Sequence, residues 1–450
     1  MQSEIRTFSY PNGDIQRVQI VRWEDWRQLA FLQPEPSEDA LDCFAGIYRK
    51  FLVPACPWLF GNMVMFRLPE DLHTNFPRET GRYGLVADRL TAAAAALKAG
   101  VRITAGKPVF RNPEIEAFWR ALEQRDCIRI VSGKLPVTTI IPLENCSGYL
   151  TETHIDAAMK VNASFFIMDK FDCATVYDHI GTPFGLNVKE GLVTRPPLYN
   201  REALLVKADG TVSVRNLDVR DLDMEIGGYI FRHGKNCRIF TRPRHLCSLP
   251  GNRQALVIIG NRVAAAGSGC LPVPASGFVL CPRVPLDVRP GDPVIYRGLE
   301  DISFGIQVGN SILKDGIKTA KFHSRFYNIR ALEPVPYPPS LYPMDFNHAR
   351  AARIALGADC QGRPMILWAE GAAKFGYVPG KGSCGASLRE MADLCSDAGM
   401  VNAVNLDGGG SAQLLMNNHR ALEISDRNRS DCSEAERPVP LALAVFPKTE

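Results

Sequence analysis

From about residue 135 to residue 330 the chain is a succession of short β-branched runs cut by turn residues. This pattern limits the fold more than any other feature. "ALLVKADGTVSV" reads as two strands around Asp209-Gly210, and "QALVIIGNRVAAAG" as two more around Gly260-Asn261. Both turns carry the glycine that a tight hairpin demands. "SGFVLCP" and "DPVIYRGL" read as further strands. No helix of crossover length separates them, so the region is sheet-rich rather than a set of βαβ units.

Helical signals lie on either side. "GLVADRLTAAAAALKAG", residues 84–100, is rich in helix formers and stops at Gly100. Asn112 and Pro113 open a second helix whose apolar residues Ile115, Phe118, Trp119 and Leu122 recur at helical spacing. Near the C-terminus, Ser387 and Glu390 form a capping box. Leu388, Met391, Leu394 and Cys395 make one apolar face behind it, and Gly399 ends the helix. The expected class is therefore α/β in the mixed, α+β sense. A smaller mixed α/β region, residues 1–130, precedes a larger β-rich domain, residues 131–450. The five-proline stretch 333–345 reads as a surface connection or lid, and Cys56 as part of a proline-punctuated loop.

Composition excludes several classes. A formal net charge of +4 over 450 residues gives no footprint for nucleic acid. No window approaches the roughly 20 apolar residues of a membrane span, and the N-terminus lacks a signal-peptide layout. The 13 cysteines are scattered without C-x-x-C pairs, which suits reduced thiols in a cytoplasmic protein. The expected partner is a small molecule, with no nucleic acid and no membrane.

The chemistry concentrates at "VNLDGGGSAQLL". The strand "VNAVNLD" delivers Asp407 to its C-terminal end, followed by Gly408, Gly409, Gly410 and Ser411. Consecutive glycines suit either a tight bulged hairpin or an anion nest of backbone N–H groups. The stretch is neither a P-loop nor G-x-S-x-G. A carboxylate beside such a nest calls for a basic partner. Arg353, inside the apolar strand "ARIALGAD", and Arg437, in "ERPVPLALAVF", are the candidates. Glu370, at the end of "RPMILWAE", is a second strand-end carboxylate.

Taken in order, these residues resemble the phosphodiester glycosidase family. Asn405 to Ala412 is similar to its N-L-D-G-G-G-S-S motif. Asn162-Ala163-Ser164-Phe165-Phe166 stands where the family has N-G-G-F-F. Pro183, Gly185 and Gly191 match one glycine-spaced element, and Gly309, Leu313 and Gly316 another. Arg353 to Gly357, Glu370-Gly371 and Arg437 to Pro440 complete the set. The resemblance runs from about 150 to 447. Two glycines have become Ala163 and Ser164, one serine Ala412, and an aspartate Glu370.

The resemblance implies cleavage between the anomeric carbon and the phosphate oxygen of a sugar phosphodiester. It assigns Asp407 as nucleophile, base or cation stabiliser, and Glu370 as acid/base or orienter. Arg353 and the Gly408–Ser411 backbone would take the phosphate. Asn162, Ser164, Asn405 and Arg437 would complete substrate binding. No cofactor is required, although an acidic site beside phosphate leaves room for Mg²⁺ or Ca²⁺. The alternatives are a non-catalytic sugar-phosphate binding module, or a biosynthetic transferase or lyase reusing the pocket.

Overall fold

The computed structural model describes residues 1–35, 62–72, 86–130, 138–143, 147–168, 172–242, 248, 253–319, 349–373, 377–427 and 436–447. The proline-rich stretch 333–345 and Cys56 lie outside them. The class is mainly β, which corrects the α/β expectation. Among the described residues only three α-helices form, Arg89–Gly100, Pro113–Glu123 and Leu388–Asp397, against many short strands. An α/β fold needs parallel strands joined through helices. Here the paired strands are antiparallel apart from Asn62–Phe66 with Thr138–Pro142.

A seven-stranded sheet carries the candidate residues. Its order is Gln2–Ser9, Ile15–Arg22, Pro364–Ala369, Arg353–Asp359, Met400–Asn405, Ser311–Lys314, Ile317–Lys318. Helix Leu388–Asp397 covers one face, where Met391, Leu394 and Cys395 pack on Ala355, Leu367 and Ala403. Its capping box forms as expected, with Glu390 N–H donating to Ser387 Oγ (3.2 Å) and Ser387 N–H to Glu390 Oε2 (2.9 Å). The other face buries Ile354, Leu356, Trp368, Val404 and Leu406 against Val161, Phe165 and Leu443. Alternation along each strand thus sends successive side chains to two different cores.

Val161 and Leu443 belong to a second sheet, ordered His419–Arg420, Leu414–Met416, Met159–Asn162, Ala442–Val445, Leu29–Leu32. The division at residue 130 does not follow these sheets. Strands 2–9, 15–22 and 29–32 lie inside sheets otherwise built from residues 159–445. A smaller mixed unit does form further along, where Leu97, Trp119, Leu122, Val64 and Ile140 share one core.

The hairpins at Gly210 (φ +86°) and Gly260 (φ +59°) form where expected, between Arg201–Lys207 and Val212–Leu217 and between Gln254–Ile259 and Arg262–Ser268. Seven described cysteines are free thiols, but Cys270 is disulfide-bonded, against the reading of reduced cysteines. Among the described residues no helix is long and apolar enough to cross a membrane.

Candidate active site

Three chain segments meet around Ala352. Strand register sets Ala355 opposite Asn405, and Leu406 N–H donates to Ile354 O (2.8 Å). One step further, Gly409 N–H donates to Ala352 O (2.8 Å). A side chain at Gly408 would press on that same carbonyl, 2.6 Å from an added Cβ. One at Gly371 would fall on Ser425 Oγ and within 2.8 Å of Ala352 N. The sheet therefore ends in a corner where only glycine lets the segments 352–353, 370–371 and 407–411 approach.

The glycine turn is a short 3₁₀ turn, Gly409–Ser411. Gly408 N–H donates to Asp407 Oδ1 (2.9 Å), Ser411 N–H to Gly408 O (3.1 Å) and Ala412 N–H to Gly409 O (3.2 Å). With Gly409 N–H on Ala352, most amides of the turn already have protein acceptors. The backbone therefore presents no open row of N–H groups as an anion nest would, because these hydrogen bonds occupy most of them. Gly409 (φ +59°) would meet nothing within 4 Å of an added Cβ, so its outer side is open.

Asn162 holds the turn at both ends. Its Nδ2 donates to Asp407 O (2.8 Å) and its Oδ1 accepts from Gln413 N–H (2.9 Å), while Asp407 N–H donates to Ala163 O (2.9 Å). Its amide is thus engaged by backbone. Ser164 is buried, and among the described residues its hydroxyl has no hydrogen-bond partner. Asn405 lies apart from the turn, against Gly309, whose added Cβ would come within 2.8 Å of the Asn405 amide nitrogen.

Arg437 is buried with a carboxylate the sequence reading missed. Its Nε (3.0 Å) and Nη2 (2.7 Å) both donate to Asp426 Oδ2, and its Nη1 donates to Ser411 Oγ (3.3 Å). Gly410 packs on this pair, and an added Cβ would collide with both partners. Only the need of a buried guanidinium for a carboxylate could have pointed to Asp426. Its own segment, "LEISDRN", carries no recognised pattern.

The two remaining candidates, Glu370 and Arg353, also sit at the corner. Glu370 is fully buried and clamped by Arg17, through Nε to Oε2 (2.7 Å) and Nη2 to Oε1 (2.7 Å). Ser383 Oγ and Glu423 N–H (2.8 Å) also donate to it. Arg353 Nε donates to Ala386 O (3.1 Å) and Nη2 to Ala349 O (2.9 Å). Among the described residues no group of three or more His, Cys, Asp or Glu side chains is placed to hold a metal ion.

Comparison with known proteins bears on this corner. Residues 287–446 match the family model for phosphodiester glycosidase, a span that includes Arg353, Glu370, Asp407 to Ser411, Asp426 and Arg437. The Asn162 and Pro183 elements lie outside it. N-acetylglucosamine-1-phosphodiester alpha-N-acetylglucosaminidases of Mus musculus and Homo sapiens are each 32% identical over 100 residues, 22% of this chain. That stretch spans only 18% of their own length.

Among solved structures, a hypothetical protein from Synechocystis has a TM-score of 0.42 at 16% identity, over 99% of this chain and 62% of that one. The catalytic domain of the zebrafish N-acetylglucosamine-1-phosphodiester alpha-N-acetylglucosaminidase, auto-inhibited by its pro-peptide, has 0.41 at 11% identity, over 99% and 83%. At these scores the likeness decides nothing further. The matches lend no support to a non-catalytic module or a transferase.

Proposed function

We propose that the chain hydrolyses the glycosidic C–O bond of a sugar phosphodiester. Water adds across the anomeric carbon–oxygen bond, giving a free sugar and a phosphomonoester. One observation carries this reading: the residues that match the phosphodiester glycosidase family also meet at one corner of the central sheet.

Phosphate is already a good leaving group, so charge stabilisation matters more than proton donation. Ser411 Oγ accepts from Arg437, which leaves its own O–H to donate to a phosphate oxygen. Asp426 holds that guanidinium in place. Asp407, fixed through its backbone by Asn162 and Ala163, supplies the carboxylate on the sugar side, as nucleophile or base. Glu370 acts through structure, tying strand Ile15–Arg22 to the corner through Arg17. Arg353 braces the corner through the Ala349 and Ala386 carbonyls.

The test is release of N-acetylglucosamine from an N-acetylglucosamine 1-phosphodiester, followed by mass spectrometry. Asp407→Asn should lower kcat about 10³-fold with an unchanged denaturation midpoint. Wild-type turnover in that variant would refute the role of Asp407. No release by the wild-type chain from any sugar phosphodiester would refute the reaction.

A further inference from the structure

We infer that a second cavity, walled by the start of helix Arg89–Gly100 and by residues 177–195 and 259–264, binds a small hydroxylated oxyanion, either a sugar phosphate or a sugar acid. The cavity measures about 540 Å³, within the size range of small-molecule sites. No described residue of the glycine turn lines it. The inference stands independently of the glycosidase reading.

The lining brings two guanidiniums together with several polar side chains. Arg195 Nη1 donates to Pro183 O (3.3 Å), and among the described residues Arg195 makes no ion pair with a carboxylate. Desolvation pulls the pKa of this half-buried guanidinium down to about 10. Arg262 adds a second, exposed guanidinium at the rim. Among the described lining residues the one carboxylate is Asp88, which caps its own helix by accepting from Thr91 N–H (2.8 Å).

Among the described residues, three buried atoms of lining residues have no hydrogen-bond partner: Tyr177 OH, Thr182 Oγ1 and Asn187 Oδ1. Buried polar atoms are normally bonded, so these are groups that the fold leaves unmet at residues bordering the cavity. His179 donates from Nδ1 to Ile140 O (3.0 Å), which leaves Nε2 as an acceptor. A guanidinium beside open donors and acceptors recognises an oxyanion carrying hydroxyl groups.

The wall is built, not incidental. Strand Val86–Ala87 pairs with Arg262–Ser268, and Asp88 N–H donates to Ala264 O (3.0 Å). The segment before the glycosidase-like part thus completes a site of its own.

Calorimetric titration of the full chain with glucose 6-phosphate, gluconate and glucose tests this. One of the two anions should bind saturably, and glucose should not. Preference for glucose 6-phosphate identifies a sugar phosphate, and preference for gluconate a sugar acid. Arg195→Gln should weaken binding at least about tenfold. Arg262→Gln, at an exposed position that leaves folding intact, should weaken it in the same direction. Asp407→Asn should bind like wild type. The inference falls if neither anion binds at about 1 mM, if both arginine variants bind like wild type, or if Asp407→Asn abolishes binding.

Discussion

The glycine turn and the second cavity solve opposite problems with the same residue types. At the turn, protein groups answer one another: Asn162 holds Asp407 and Gln413, Asp426 holds Arg437, and the 3₁₀ bonds close the amides. At the cavity, among the described residues, polar atoms of Tyr177, Thr182 and Asn187 have no hydrogen-bond partner and Arg195 makes no ion pair. A closed polar network fixes geometry, as a reacting centre requires. An open one forgoes stability and gains affinity for whatever fills it. Substitutions that break the closed network at the turn should therefore be severe for folding, and those in the cavity mild.

Asp426→Ala should produce the largest loss. It removes the carboxylate that Arg437 Nε and Nη2 both donate to, at about 4 kcal/mol. Chemical denaturation would read this, and a midpoint near wild type would mean the pair does not organise the turn. Gly410→Ala comes next, at about 2 kcal/mol, because the added Cβ drives into the same pair. Gly409→Ala adds a side chain into open space, and its penalty of about 1 kcal/mol comes from the positive φ alone. Equal losses at the two glycines would break the distinction between packing and backbone strain.

On the cavity side the sharpest contrast is in pH. Burial, reinforced by the charge of Lys98, holds the His179 pKa well below its usual value. The unfolded chain takes up a proton below about pH 6.5 while the folded ring stays neutral. Stability contributed by the neutral ring is therefore present above pH 6.5 and falls with acidity, by up to about 1.4 kcal/mol per pH unit. His179→Gln should flatten the acid limb of a stability-versus-pH curve measured by denaturation. An unchanged slope would show that the ring charges in the folded protein.

The sequence made some of this legible. Local signals placed the hairpins at Gly210 and Gly260, the Ser387 capping box and Asp407 at a strand end. Those features depend on neighbours a few residues apart. The Arg17–Glu370 clamp joins groups 353 positions apart, and nothing local announces it. The N-terminal strands were missed as members of the main sheets for the same reason. Helices advertise themselves through caps and periodicity, whereas a strand's partner is unstated. That imbalance gave three helices too much weight in the expected class. Within the glycine run, side chains do not fit at Gly408 and Gly410, whereas one would at Gly409. The reason at Gly410 is a buried ion pair, which nothing local in the sequence announces.

Thr182→Val gives the smallest effect and the cleanest separation of the two regions. Its hydroxyl is buried and unpartnered, so an apolar group of similar shape removes an unmet desolvation penalty. Stability should stay level or rise by up to about 1 kcal/mol. Affinity for the hydroxylated anion should fall in the same variant, and turnover of the phosphodiester should not change. The matched substitution at the turn is Ser164→Ala, which also removes a buried, unpartnered hydroxyl. If Ser164 contacts substrate, its loss lowers turnover while leaving the cavity's affinity intact. Stability and binding thus move in opposite directions at each position, with a different ligand reporting at each. A variant of either kind that altered both ligands would join the two regions into one site.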